Sequence, residues 1–197
     1  MDADGSGQER LTRTPDDEYF FAWSPDGERI AYPTNPAYAP TIWVMDADGS
    51  DRKPLDSGLF PSWSPNGKRI AYTAYSGEQP YLALMNADGW GRGRLGASSC
   101  AEEEPAWSPD GKKIAFASME DGEIYAMNVD GSGRTRLTDI PKRYDHWPPT
   151  WSPEGKRIAF TSEDKKGVEI YVMNSDGSGL TQLTDSPAED FYPAWRL

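Results

Sequence analysis

The sequence predicts an all-β fold, a β-propeller of four-stranded antiparallel blades, on three observations. Tryptophans recur at Trp23, Trp63, Trp107, Trp151 and Trp195, at intervals of 40, 44, 44 and 44 residues. The same turn and strand follow each of the first four, and no segment shows helical periodicity. A period of this length, made of four short strands, is the signature of a propeller blade, whereas a β-solenoid uses shorter coils.

Each element has its own reason. The turn after the tryptophan reads Ser24, Pro25, Asp26, Gly27 in the first copy, with Ser64 to Gly67, Ser108 to Gly111 and Ser152 to Gly155 matching it. Proline presets φ at the first corner and glycine accepts the positive φ that closes the hairpin. The following strand carries Ile30, Ile70, Ile114 or Ile158. Another strand covers residues 42–45, 81–85, 124–127 and 170–173 and is apolar on both faces, as expected of a sheet covered on both sides. An Asp-Gly or Asn-led turn comes next, at 46–49, 86–89, 128–131 and 174–177, with 2–5 as a fifth example. Its glycine stands fourth, so these read as hairpin turns with Asx hydrogen bonds and not as calcium loops of the EF-hand type. The closing strand is short and more polar, at 136–138 and 182–184, and in one copy holds Pro54, which suits an outermost edge.

The organisation is therefore a single domain, 1–197, with repeats at approximately 13–55, 56–95, 96–138 and 139–184. Segments 1–12 and 185–197 are partial blade elements: an extra outer strand at the N-terminus and an extra inner strand at the C-terminus. A ring of four or five blades, completion by a second copy in a homo-oligomer, and a piece of a longer propeller all agree with this arithmetic.

Trp-Ser-Pro-Asp-Gly, Arg-Ile-Ala-Phe, Ile-Tyr-Val-Met-Asn and Asp-Gly-Ser-Gly resemble the WD-like repeat of the TolB propeller family over nearly the whole chain. The resemblance implies a binding scaffold with a protein or peptide partner, and a periplasmic or extracellular location. Met1 to Gly5 carry neither the basic start nor the apolar stretch of a secretory signal.

Composition narrows the partners. A net charge of −12 repels nucleic acid and favours cations and basic peptides. Apolar residues make up 37% of the chain, enough for a core, yet no apolar run approaches the roughly 18 residues of a membrane span. Cys100 is the single cysteine, which excludes an intramolecular disulfide, and the neighbouring Glu102, Glu103 and Glu104 make it a poor thiolate.

The loops entering the innermost strands point to a site. Five residues before each tryptophan stand Glu18, Gly58, Glu102, His146 and Asp190; one position later come Tyr19, Leu59, Glu103, Trp147 and Phe191. Arranged around a channel they form an acidic ring with an aromatic collar. Glu18, Glu102, His146 and Asp190 are candidate ligands for a divalent cation, calcium if oxygens dominate and a transition metal if the imidazole joins. Tyr19, Glu103, Trp147 and Phe191 complete a candidate surface for a basic peptide or a stacked sugar. Solvated loop groups and caps of backbone amides are the structural alternative. The chain reads as noncatalytic, since it has no Gly-x-Ser-x-Gly nucleophile elbow. The alternative is a propeller enzyme, a polysaccharide lyase or hydrolase-like protein, using channel-mouth carboxylates and His146.

Overall fold

A computed structural model of the chain describes residues 4, 6–13, 18, 20–34, 40–96, 101–140, 146–163 and 167–196, with the backbone alone for 146 and 147. These residues form four antiparallel four-stranded sheets and no helix. The first sheet is β1 (Ala22–Trp23), β2 (Arg29–Thr34), β3 (Thr41–Asp46) and β4 (Lys53–Ser57). The second is β5 (Leu59–Trp63), β6 (Arg69–Ser76), β7 (Gln79–Asn86) and β8 (Gly93–Arg94). β9 (Glu102–Trp107), β10 (Lys113–Ser118), β11 (Glu123–Asn128) and β12 (Thr135–Arg136) make the third; β13 (His146–Trp151), β14 (Arg157–Glu163), β15 (Val168–Asn174) and β16 (Thr181–Gln182) make the fourth. Within every sheet the strands lie in chain order, the meander of a propeller blade.

The turns behave as their residues require. Ser24 Oγ donates to Asp26 Oδ1 at 2.5 Å and accepts from the Arg29 amide at 2.9 Å, while Gly27 sits at φ 72°. The second family of turns is closed by Asx bonds, for example from the Ser132 amide to Asp130 Oδ1 at 2.9 Å. Those hydrogen bonds hold the Asp26 and Asp130 carboxyls below their ordinary range.

Double-sided burial has a simple origin. In β6 and β10, the Ile-Ala-aromatic strands with a blade on either side, the large side chains face the preceding blade and the alanine faces the next. Ile70 and Tyr72 pack with Ala31, Ile42 and Val44 of blade 1, whereas Ala71 of the same strand packs with Ile114 and Phe116 of blade 3. Blade 3 repeats this with blade 4, where Ala115 and Ala117 meet Ile158 and Phe160. Alternation of size, with apolarity constant, lets wedge-shaped sheets stack without gaps.

Tryptophan adds a directional clasp between blades. The indole N–H of Trp63 donates to the Ala22 carbonyl, that of Trp151 to Ala106, and that of Trp195 to Thr150, each at 3.1 Å. The last of these docks the C-terminal segment on blade 4 as an inner strand would dock, although it makes no regular ladder. The N-terminal segment is seated in the same way: Arg52 donates to the Leu11 carbonyl as Arg92 does to that of Leu55. Leu11 also lies against Gly49 as Leu55 lies against Gly89. Both ends thus hold the positions of an outer and an inner strand.

Candidate functional site

Three of the four innermost strands contain one irregularity, which shapes the inner wall of the stack. In β5 the register jumps between Leu59 and Ser62, in β9 between Glu103 and Ala106, and in β13 between Trp147 and Thr150. Every jump fits one extra residue, a β-bulge, into the inner strand. In four of the five copies the third residue before the tryptophan takes the left-handed conformation that non-glycine residues rarely adopt: Phe20 at φ 53°, Phe60 at 52°, Glu104 at 60° and Tyr192 at 55°. Phe20, Phe60 and Tyr192 meet there, with ring centroids 4.5 Å apart for Phe20–Phe60 and 6.2 Å for Phe20–Tyr192.

Below this aromatic collar opens a cavity of about 470 Å³. Its walls are Phe20, Phe60 and Tyr192, the prolines Pro61, Pro105, Pro149 and Pro193, the tryptophans of the first four repeats, and Ser62 and Thr150. Phe21, 66% exposed, lies at its edge. Pro25 and Pro109 of the Ser-Pro-Asp-Gly turns also line it, so the cavity belongs to the turn end of the channel. The residues singled out in sequence lie toward the other end of the same strands.

Those residues find separate local partners. Glu102 is 1% exposed and accepts from Arg134 Nε at 2.9 Å, and the same guanidinium lies 3.7 Å from the centre of the Tyr125 ring. Its carboxylate would have to surrender that ion pair to reach a cation. Glu18 bridges to Thr34 and accepts from Thr12 Oγ1 at 2.9 Å. Asp190 accepts from Ser186 Oγ at 3.2 Å, and its amide donates to the Val168 carbonyl. Glu103 receives the Tyr75 hydroxyl at 3.5 Å. Phe191 is partly exposed beside Tyr192, 6.3 Å between centroids. His146 and Trp147 are placed by backbone only, and Tyr19 and Cys100 lie outside the described residues. At Gly58 no larger residue fits, because a Cβ would stand 2.5 Å from the Thr73 carbonyl oxygen. Among the described residues no three His, Cys, Asp or Glu side chains are grouped as metal ligands.

Glu104 escaped the sequence reading. It is 6% exposed, its amide donates to Thr73 Oγ1 at 3.1 Å, and its Oε2 has no hydrogen-bond partner. Burial first, and the neighbouring Glu103 charge second, push its pKa up to about 9, so the carboxyl is neutral at pH 7. One signal was available: at this position three of the five copies carry an aromatic ring, and the third carries an acid. The buried Glu123 differs, being satisfied by Arg136 at 2.6 Å, by the Thr138 hydroxyl and by the Ile140 amide.

Residues 42–142, about half of the chain, match the TolB beta propeller domain. The chain belongs to the TolB beta propeller domain family. A putative TolB from Agrobacterium tumefaciens superposes with a TM-score of 0.73 at 27% identity, over 82% of this chain and 63% of that one. TolB from Acinetobacter baumannii gives a TM-score of 0.78 at 24% identity, over 96% of this chain and 49% of that one. This TolB-family chain thus spans less than two thirds of either relative. A chain of the nidogen/laminin complex shares the fold at 13% identity and a TM-score of 0.73, covering 91% and 68%. No curated protein sequence matches.

Proposed function

We propose that the chain is a noncatalytic binding module whose channel takes an aromatic side chain from a peptide segment of a partner protein, in the periplasm that its TolB relatives suggest. The observation that carries this reading is the cavity of about 470 Å³ walled by aromatic rings and prolines. Such a wall gains affinity from burial and ring stacking. Glu104, the acid with the strongly raised pKa, does not line the cavity. A ligand seated there therefore meets collar and indoles and not this carboxyl, which favours binding over acid catalysis. The net charge of −12 favours partners with basic residues flanking the anchor.

Selection from displayed random peptides tests the proposal. Enriched sequences are expected to hold an aromatic residue near Lys or Arg. Phe60→Asp, which places a charge on the collar, is expected to weaken them at least tenfold. Peptides without an aromatic anchor, or binding indifferent to Phe60→Asp, would contradict it.

A further inference from the structure

The repeat offers an internal comparison at the blade junctions. The first residue of the second strand is Arg29, Arg69, Lys113 or Arg157 in the four blades. Arg29 lies over the Trp63 ring at 4.6 Å and donates to the Gly67 carbonyl at 3.4 Å; Arg157 lies over Trp195 at 4.8 Å. Arg69 is the equivalent residue for Trp107, yet among the described residues its guanidinium makes no ring contact, ion pair or hydrogen bond. The Trp107 indole N–H has no acceptor either, whereas those of Trp63, Trp151 and Trp195 all reach a main-chain carbonyl. Between blades 2 and 3 a cleft of about 210 Å³ opens, lined by Arg69, Trp107, Asn66, Asp110, Ser64 and Val129 among others.

The lining chemistry selects a ligand class. Asn66 spends Oδ1 on Ser64 Oγ at 2.8 Å and the Lys68 amide at 3.0 Å, which leaves its NH₂ to donate. Asp110 is fixed through Oδ1 by Ser108 Oγ at 2.7 Å and the Lys112 amide at 3.0 Å, and its Oδ2, 3.8 Å from the exposed Lys112 Nζ, is the acceptor it presents. Arg69 donates only. An anion in the cleft would face Asp110, a cation would face Arg69, and a hydrocarbon would leave both unmatched. A neutral ring with hydroxyls that donate and accept, and with a C–H face for the indole, satisfies every group. The geometry points to a carbohydrate-binding cleft in which a pyranose stacks on Trp107 and is hydrogen-bonded by Arg69, Asn66 and Asp110. Trp107 borders both this cleft and the channel cavity, but Arg69, Asn66 and Asp110 line only the cleft, so variants at those residues test it apart from the channel.

Saturation-transfer NMR on the full chain, with the methyl glycosides of glucose, galactose and N-acetylglucosamine, tests the assignment. Saturable transfer to ring C–H protons is expected for at least one sugar. Arg69→Leu should weaken it tenfold or more, and Arg29→Leu, at the preceding junction, should leave it unchanged. Should Arg69→Leu fail to fold, Asn66→Asp removes one donor and is conservative, because aspartate stands at the equivalent positions 26 and 110; it should weaken binding about threefold. No transfer from any of the three sugars, affinity untouched by these variants, or preference for acetate or butylammonium over all three would overturn it.

Discussion

Glu104 shows how far one residue's chemistry depends on its place in a repeat. The bulge turns this position into the crowded level of the channel, where three other copies place aromatic rings that are easily desolvated. A carboxyl held there is kept neutral. Its ordinary pKa is 4.5 and its folded value about 9, so between these limits the folded chain holds a proton that the unfolded chain releases. The contribution of this group to stability is therefore fully present below about pH 4.5 and is lost as pH rises toward 9, by up to about 1.4 kcal/mol per pH unit. Glu104→Gln removes that dependence. Urea denaturation at pH 5 and pH 8 should show the variant gaining on the parent at the higher pH; an equal difference at both would show that the carboxyl is solvated or ionised.

Among the elements, the inner strand and its tryptophan do the joining. Trp63, Trp151 and Trp195 each combine a packed ring with a hydrogen bond to the preceding blade, and Trp107 makes the packing without the bond. Replacing the indole by phenyl should separate the two contributions. Trp151→Phe is expected to cost about 1 kcal/mol more than Trp107→Phe, the net worth of a neutral hydrogen bond. Chemical denaturation measures both, and equal costs would mean that the clasp contributes nothing. These strands also mark where the sequence stopped being legible. Turns, pairing order and two-sided burial could be read because Ser-Pro-Asp-Gly, the Asx turns and the Ile-Ala-aromatic runs are local signals. The channel wall could not, because the bulge between Glu103 and Ala106 shifts which side chain faces where, and counting alternate residues fails across it. The Glu102–Arg134 pair joins residues 32 apart, and nothing near Glu102 announces its partner.

At the scale of the whole molecule, four sheets stacked through complementary large and small faces bring their innermost strands together, and the two ends of those strands differ. Toward the loop end Glu102, Glu18, Asp190 and Glu103 are each engaged separately, by Arg134, Thr12, Ser186 and Tyr75. The turn end holds the apolar cavity. The charge count anticipated an acidic molecule, but only the folded chain shows that Glu18, Glu102, Glu103 and Asp190 stand outside the cavity lining. The binding reading assigns recognition to the cavity and leaves the acids to steer a basic partner at longer range. The most direct test maps a selected aromatic-anchored peptide onto the isotope-labelled chain by NMR. Phe20, Phe60, Ser62 and Tyr192 should show the largest amide shift changes, with saturation at one equivalent. Changes confined to the outer Asp-Gly turns, with the collar unmoved, would contradict a channel site.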